Sequence, residues 1–223
     1  MRSISTEDYI KAIYKLERDG GKVTTSALAL QLQLADASIT DMIKKLSEKG
    51  LVHYERYQGV GLTASGKRVA LKIVRRHRLW EMYLVRFLGF SWDQVHDEAE
   101  RLEHVTSDKL EQRLDNALGF PHNDPHGDPI PTVNGELDHP KYTALAECRE
   151  GDVVRVLRVS DDDSEMLQHA SKLGVELNKK LIVKEKRSFD GSMLVRVGSK
   201  QHFVSQQMAN AIFVRPASLR KEQ

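Results

Sequence analysis

Asp36-Ala-Ser-Ile-Thr-Asp-Met-Ile-Lys-Lys-Leu-Ser-Glu-Lys-Gly50 is the stretch from which the fold of this 223-residue chain reads outward. Asp36, Ala37 and Ser38 suit a helix start, and Gly50 suits its stop. Between them Ile39, Met42, Ile43 and Leu46 recur at helical spacing and form an inward face, leaving Lys44, Lys45 and Lys49 outside. Just upstream, Thr24-Thr25-Ser26 opens a shorter helix whose apolar content is Leu28, Leu30, Leu32 and Leu34. Two short helices joined by a tight turn, the second starting with small polar residues and ending basic, are the layout of a helix-turn-helix. Further upstream, Ser5-Thr6-Glu7-Asp8 caps a first helix carrying Tyr9, Ile10, Ile13, Tyr14 and Leu16, which Gly20-Gly21 ends.

After Gly50 come two β-prone runs around a turn, residues 51–63, before Ala64-Ser65-Gly66-Lys67 enters another helix. A hairpin directly after such a helix is a wing. Winged helices lay the third helix in the major groove of duplex DNA while the wing touches backbone or minor groove. That geometry nominates Ser38, Thr40 and Asp41 for base edges or nearby phosphates, and Lys44, Lys45, Arg56 and Gln58 for phosphate. The alternative, a winged helix used only for protein contacts, fits less well with the charge of the segment. Residues 1–76 hold 14 Lys/Arg against 8 Asp/Glu, a balance of +6, whereas residues 77–140 hold 5 against 13, or −8, and residues 141–223 hold 15 against 11, or +4. The net +2 therefore hides a basic head that suits a polyanion and an acidic middle that suits a cation.

The acidic middle contains His-Asp-Glu-Ala-Glu-Arg-Leu-Glu-His, residues 96–104. On one helix His96, Glu100, Glu103 and His104 stand at i, i+4, i+7 and i+8 and fan over roughly 100° of its surface. A stripe of nitrogen and oxygen donors occupies the width that a core-facing helix normally fills with leucine. About one helix earlier, His77 and Glu81 are four residues apart and lie one above the other. Imidazole and carboxylate donors without thiolate suit divalent first-row ions, and the carboxylate content leans toward Mn(II) or Fe(II) over a structural zinc. A solvated, salt-bridged helix surface explains the same charges without a metal.

Composition sets the remaining bounds. With 40% apolar residues the chain can bury a core, and its length suits one or two ordinary domains with a small third. No run of eighteen apolar residues and no hydrophobic signal segment is present, which points to a cytoplasmic protein. One cysteine, Cys148, excludes an internal disulfide framework and multi-cysteine zinc sites. From Ala144 the pattern turns to short alternating strands: 152–159, 181–185, 192–197, 201–204 and 209–214, with a helical stretch over 166–173. The expected fold is mainly α with a small β domain. Three domains follow: a winged helix over 1–72, a helical domain with a proline-rich linker over 73–140, and a small barrel over 141–223.

The order Thr6-Glu7-Asp8-Tyr9-Ile10, then Leu62-Thr-Ala-Ser-Gly-Lys67, Arg76-His77-Arg78-Leu79-x-Glu81, and Val95-His-Asp-Glu-Ala-Glu100-x-Leu-Glu103-His104 resembles the diphtheria toxin repressor family of metal-dependent transcriptional regulators. The resemblance covers nearly the whole chain. It implies a winged-helix domain, a helical dimerisation and metal-binding domain, and a C-terminal SH3-like domain related to a ferrous-transport accessory fold. It further implies a homodimer that binds double-stranded operator DNA when loaded with metal. By position it assigns a regulatory site to Asp8, Glu100, Glu103 and His104, and a neighbouring site to His77, Glu81 and His96.

In the iron-responsive branch the places of Asp8 and Glu100 are held by methionine and cysteine, so this chain departs toward hard oxygen ligands and favours Mn(II). Fe(II) stays the runner-up effector, with Co(II) or Zn(II) as test-tube substitutes. Short manganese regulators often carry a bridging glutamate where this chain has Lys11, a departure that speaks against a two-ion cluster of that type. Residues 118–131 hold four of the six prolines, and their Asp-Pro-His-Gly resembles a ligand-bearing stretch of long family members. Asp124 and His126 thus join the second site, although a plain Asp/Gly/Pro turn reads equally well. An acidic residue or glutamine near the start of the 166–173 helix reaches toward that site in the family; Asp162 or Asp163 is nominated, Asp163 first, while a solvated helix N-terminus explains the same charges. The apolar positions Leu79, Trp80, Tyr83, Leu84, Phe87 and Leu88 suit either a dimer face or plain core. The expected function is repression of metal-uptake genes. The reading from another class, a metal-dependent phosphohydrolase suggested by His77 and His96-Asp97, leaves the winged helix unexplained.

Overall fold

The structure, a computed structural model, describes residues 6–18, 20–55, 59–138 and 140–217. Ser5 of the first cap, and Arg56 and Gln58 of the wing, lie outside the described residues. The chain forms two compact units, Met1–His77 with Glu100–Glu111 and Pro131–Leu137, and Arg78–Ala99 with Gln112–Ile130 and Asp138–Gln223.

The first unit is built on α1 (Thr6–Arg18), α2 (Thr25–Leu32), α3 (Asp36–Glu48) and the hairpin β1 (Val52–Glu55) and β2 (Gly59–Leu62). The amphipathic spacing of α1 buries Tyr9, Ile10, Ala12, Ile13 and Tyr14. Thr24 caps α2, its hydroxyl accepting from the Ala27 N–H at 3.0 Å. The α2–α3 turn passes through Gln33 in the left-handed region at φ 55°, whose N–H closes back on the carbonyls of Ala29 and Leu30. Leu28, Ile39, Ile43 and Leu46 join Ile10 and Ile13 in one fully buried core, each contributing roughly 1.5–3 kcal/mol. β1 and β2 pair antiparallel from Val52 opposite Leu62 to Glu55 opposite Gly59.

α4 (Ala64–Leu88) begins in this unit and passes into the second. Its arginines are mostly sequestered: Arg75 and Arg76 each place Nε on a different oxygen of Glu111, at 3.0 and 2.9 Å. Arg75 also donates to the Pro131 carbonyl and Arg76 to Asp108. One carboxylate shared by two guanidiniums fixes α4 to the start of α6 (Asp108–Leu118).

In the second unit the later half of α4 packs Leu79 and Met82 against Leu114, Leu118 and Ile130, and Leu84 against Val95 and Ala99. Leu79 and Leu84 are therefore core, whereas Phe87 and Leu88 are exposed. α5 (Val95–Leu102) is followed in the first unit by a 3-10 turn, Glu103–Val105. The expected single helix over 96–104 thus tightens at its last turn, because periodicity alone does not distinguish an α turn from a 3-10 turn.

The β region consists of β3 (Thr143–Ala144), β4 (Val153–Val159), β5 (Lys180–Lys186), β6 (Met193–Val197), β7 (Lys200–Val204) and β8 (Ile212–Pro216), with α7 (Ser164–Lys172) and α8 (Gln206–Ala211). The antiparallel order is β3-β8-β4-β5-β6-β7. Alternate residues Val154, Val156, Leu181, Val183, Met193 and Val195 fill its core, with Cys148 among them. The final strand is shorter than expected, since 209–211 complete α8 before Ile212 enters the ladder. Among the described residues no helix is long and apolar enough to cross a membrane.

Candidate metal centres

α1 and the segment from Glu100 to His104 bring Asp8, Glu100, Glu103 and His104 together in the first unit, one donor atom from each lying within 4.8 Å of the others. Donors gathered this closely could draw in around one first-row ion, whose bonds to oxygen and imidazole nitrogen run about 2.0–2.2 Å. Three further residues, Glu7, Lys11 and His77, contact these four. Glu7 Oε2 accepts from His104 Nδ1 at 2.6 Å, which turns Nε2 inward to 2.7 Å from Asp8 Oδ1. That buried nitrogen has no hydrogen-bond partner among the described residues, because its approach to Asp8 lacks hydrogen-bond geometry. Two buried donor atoms this close and out of alignment suit a shared cation rather than a shared proton.

Lys11, one turn beyond Asp8, places Nζ 2.6 Å from Glu100 Oε2, 2.9 and 2.7 Å from the two oxygens of Glu103, and 3.1 Å from His77 Nδ1. Burial alone would lower the lysine pKa, but the charges of Glu103 and Glu100 outweigh it and hold the amine above its ordinary range. His77 Nδ1 also lies 2.5 Å from Glu103 Oε2. The residue that the resemblance assigned to the neighbouring site is thus bonded into the first centre.

The second unit carries the other centre. Glu81 of α4 groups with His96 and Asp161, and again with Asp124 and His126. Glu81 Oε1 is 3.7 Å from His96 Nδ1, and Glu81 Oε2 is 3.9 Å from His126 Nδ1. His126 Nε2 donates to the Trp92 carbonyl at 2.7 Å and its ring stacks on Trp92. In the neutral ring that bond leaves the Nδ1 lone pair for a ligand, and Nδ1 is buried without a hydrogen-bond partner among the described residues. Asp124 Oδ1 accepts from the N–H groups of His126 and Asp128, both at 2.9 Å, so the loop is wound around one oxygen. Burial first, then the charges of Glu81 and Asp128, push its carboxyl up to about 7 against the pull of Arg78 and His126. Arg78 and Arg158 face Asp128 at 3.3 and 2.7 Å, positive charge that spacing along the chain does not announce.

Asp163 does not join this centre. Its Oδ1 accepts from the N–H groups of Glu165 and Met166 and caps α7, and the other nominee, Asp162, accepts from the Ser160 hydroxyl at 2.6 Å. The acidic residue brought to Glu81 and His96 is Asp161. Between 160 and 164 the chain is irregular, so no periodicity aims successive side chains. On α3, Ser38, Asp41, Lys44 and Lys45 are exposed; Lys44 lies 3.9 Å from Asp41. The Thr40 hydroxyl donates to the Asp36 carbonyl of the preceding turn.

Comparison with known proteins places three family descriptions along the chain. Residues 1–60 match the iron dependent repressor N-terminal DNA binding domain, 63–132 the iron dependent repressor metal binding and dimerisation domain, and 143–216 the FeoA domain. The diphtheria toxin repressor of Corynebacterium glutamicum is 32% identical over 184 residues, covering 78% of this chain and 80% of that protein. The iron-dependent repressor IdeR of Mycobacterium leprae is 28% identical over 94% of this chain and 96% of its own. A solved manganese-dependent transcriptional repressor in complex with manganese is 42% identical, superposes with a TM-score of 0.87 and covers 95% of this chain and 100% of that one. ScaR with bound Zn2+ is 31% identical with a TM-score of 0.80 over 96% and 100% of the two chains.

Proposed function

Since the chain belongs to the diphtheria toxin repressor family and is a metal-dependent DNA-binding repressor, not an enzyme, we propose that it is a homodimer that uses Mn(II) as co-repressor on operator DNA of metal-uptake genes. The working divisions of the chain are 1–72 for DNA, 73–140 for dimerisation and metal, and 141–223 for the FeoA-like domain. Asp8, Glu100, Glu103 and His104 would hold the regulatory ion; Glu81, His96, Asp124, His126 and Asp161 would form the second site. The phosphohydrolase alternative falls with the family assignment.

The observation that carries the manganese reading is the donor set of the first centre: three carboxylates and one imidazole, with no sulfur in either candidate cluster. Hard oxygen donors suit Mn(II), whereas thiolate and thioether stabilise softer ions. A bound ion supplies two positive charges to carboxylates that repel one another. Asp8 stands on the first helix of the DNA-binding segment, and Glu100, Glu103 and His104 stand beyond α4. Drawing these donors together fixes α1 against the 100–105 segment and so biases the placement of α3 for its groove. Such coupling is worth about 1–3 kcal/mol in typical cases.

An iron-responsive reading is favoured by the iron-dependent descriptions that the family models carry, and one titration separates the two. Metal-stripped protein is followed by fluorescence anisotropy on DNA from upstream of its own gene and of metal-transporter genes. Mn(II) and, anaerobically, Fe(II) are titrated in. Saturable binding at lower Mn(II) than Fe(II), lost in Asp8→Ala, is the expected outcome. The reverse order assigns iron, and DNA binding indifferent to both metals overturns the coupling.

A further inference from the structure

Lys11 lies within the first centre, and its contacts are those of a cation. Its ammonium has three N–H donors and meets both oxygens of Glu103, one oxygen of Glu100 and the Nδ1 of His77, all within 3.1 Å. Glu103 is fully buried, so its charge needs a partner whether or not metal is present. Setting aside Glu7, which is partly open to water and faces the outer nitrogen of His104, the carboxylates of Asp8, Glu100 and Glu103 carry three negative charges. The ammonium reduces these to two, which a single divalent ion neutralises. A second divalent ion would leave the centre at two positive charges with an ammonium in contact, a poor arrangement away from water.

We infer that Lys11 is a tethered cation that restricts the first centre to one divalent ion and sets the metal level needed to fill it, by holding Glu100 and Glu103 in the metal-free protein. The inference rests on the reading of Asp8, Glu100, Glu103 and His104 as a metal site. Thermodynamic linkage gives its sign. An interaction that stabilises the metal-free form more than the loaded form weakens metal binding by the same factor. Moreover, the ammonium repels an incoming cation wherever it sits nearby. A lysine that merely kept the carboxylates in place for metal would have the opposite effect, since its removal would weaken binding.

Isothermal titration calorimetry with Mn(II) and thermal melting, on the full chain as wild type, Lys11→Met and Lys11→Arg, read this directly and need no DNA. In Lys11→Met we expect Mn(II) affinity at the first centre to tighten by about ten-fold or more, one more ion per subunit, a lower melting temperature without metal and a larger rise on adding Mn(II). Lys11→Arg keeps the charge and should behave like wild type. If Lys11→Met folds only with Mn(II) present, the same conclusion follows, and Lys11→Gln supplies the metal-free comparison. Unchanged or weaker Mn(II) affinity in Lys11→Met overturns the role of Lys11, as does a third ion per subunit in wild type, where one per centre is expected. Absence of any Mn(II) binding to wild type would instead remove the metal-site reading and this inference with it.

Discussion

Asp163 accepts from two N–H groups at the start of α7, while Asp161, two residues earlier, is grouped with Glu81 and His96. Two aspartates so close in sequence with such different surroundings should separate cleanly on substitution. Loss of a side-chain cap costs about 1 kcal/mol, so Asp163→Ala is expected to lower the melting temperature while leaving Mn(II) affinity at the second centre unchanged. Asp161→Ala should do the reverse, weakening that affinity about ten-fold or more with little change in metal-free melting. Calorimetry and melting on both variants decide it, and a metal defect in Asp163→Ala would return the ligand role to that residue. At this scale the sequence was informative where a helix sets direction. Asp8 and Lys11 are three apart on α1 and share a face, and both are found in the first centre. Glu7 is adjacent to Asp8, where helical spacing predicts no shared face, and it reaches the centre only through the far nitrogen of His104. No reading along one helix finds a residue that acts through a side chain ninety-seven positions away.

The elements were legible in proportion to their regularity. The apolar periods of α1 and α3 and the alternation of β4 to β6 mark those elements because each packs one face or alternate residues onto a core. The 3-10 turn after α5 and the last helical turn of α8 were not marked, since three residues fix no period. The loop 123–129 is a further case. It carries Asp124 and His126, yet its shape is decided by Gly127, which has φ 95° and runs against β4. A Cβ there would stand 2.1 Å from the Leu157 carbonyl oxygen and 2.9 Å from the Arg158 Cα. Both neighbours are backbone and cannot swing aside. Gly127→Ala is therefore expected to cost about 2 kcal/mol or more, combining backbone strain with overpacking. It should also weaken Mn(II) binding at the second centre while sparing the first. Equal losses at both centres, read by calorimetry, would show that the loop acts on general stability and does not place the ligands.

For the whole molecule the segregation of charge is the property that bears on function. The basic first segment presents Lys44 and Lys45 on the open side of α3, while the acidic middle holds most of the candidate metal ligands. Polyanion binding releases counterions, and each phosphate neutralised adds about 0.9 to the slope of log affinity against log salt. In a homodimer each substitution removes a contact from both subunits. Lys45→Ala should then weaken binding to operator and unrelated duplex alike and reduce that slope by roughly 2, with the Mn(II) concentration for half-maximal operator binding little changed at fixed salt. The corresponding Ser38→Ala, close to the start of α3, should weaken binding to operator more than to unrelated duplex and leave the salt slope intact, as expected of a residue near base edges. Anisotropy titrations at saturating Mn(II) over several salt concentrations give both quantities. A slope unmoved by Lys45→Ala, or one already flat in wild type, would mean that α3 does not face phosphate, and the basic head would then need a partner other than the DNA backbone.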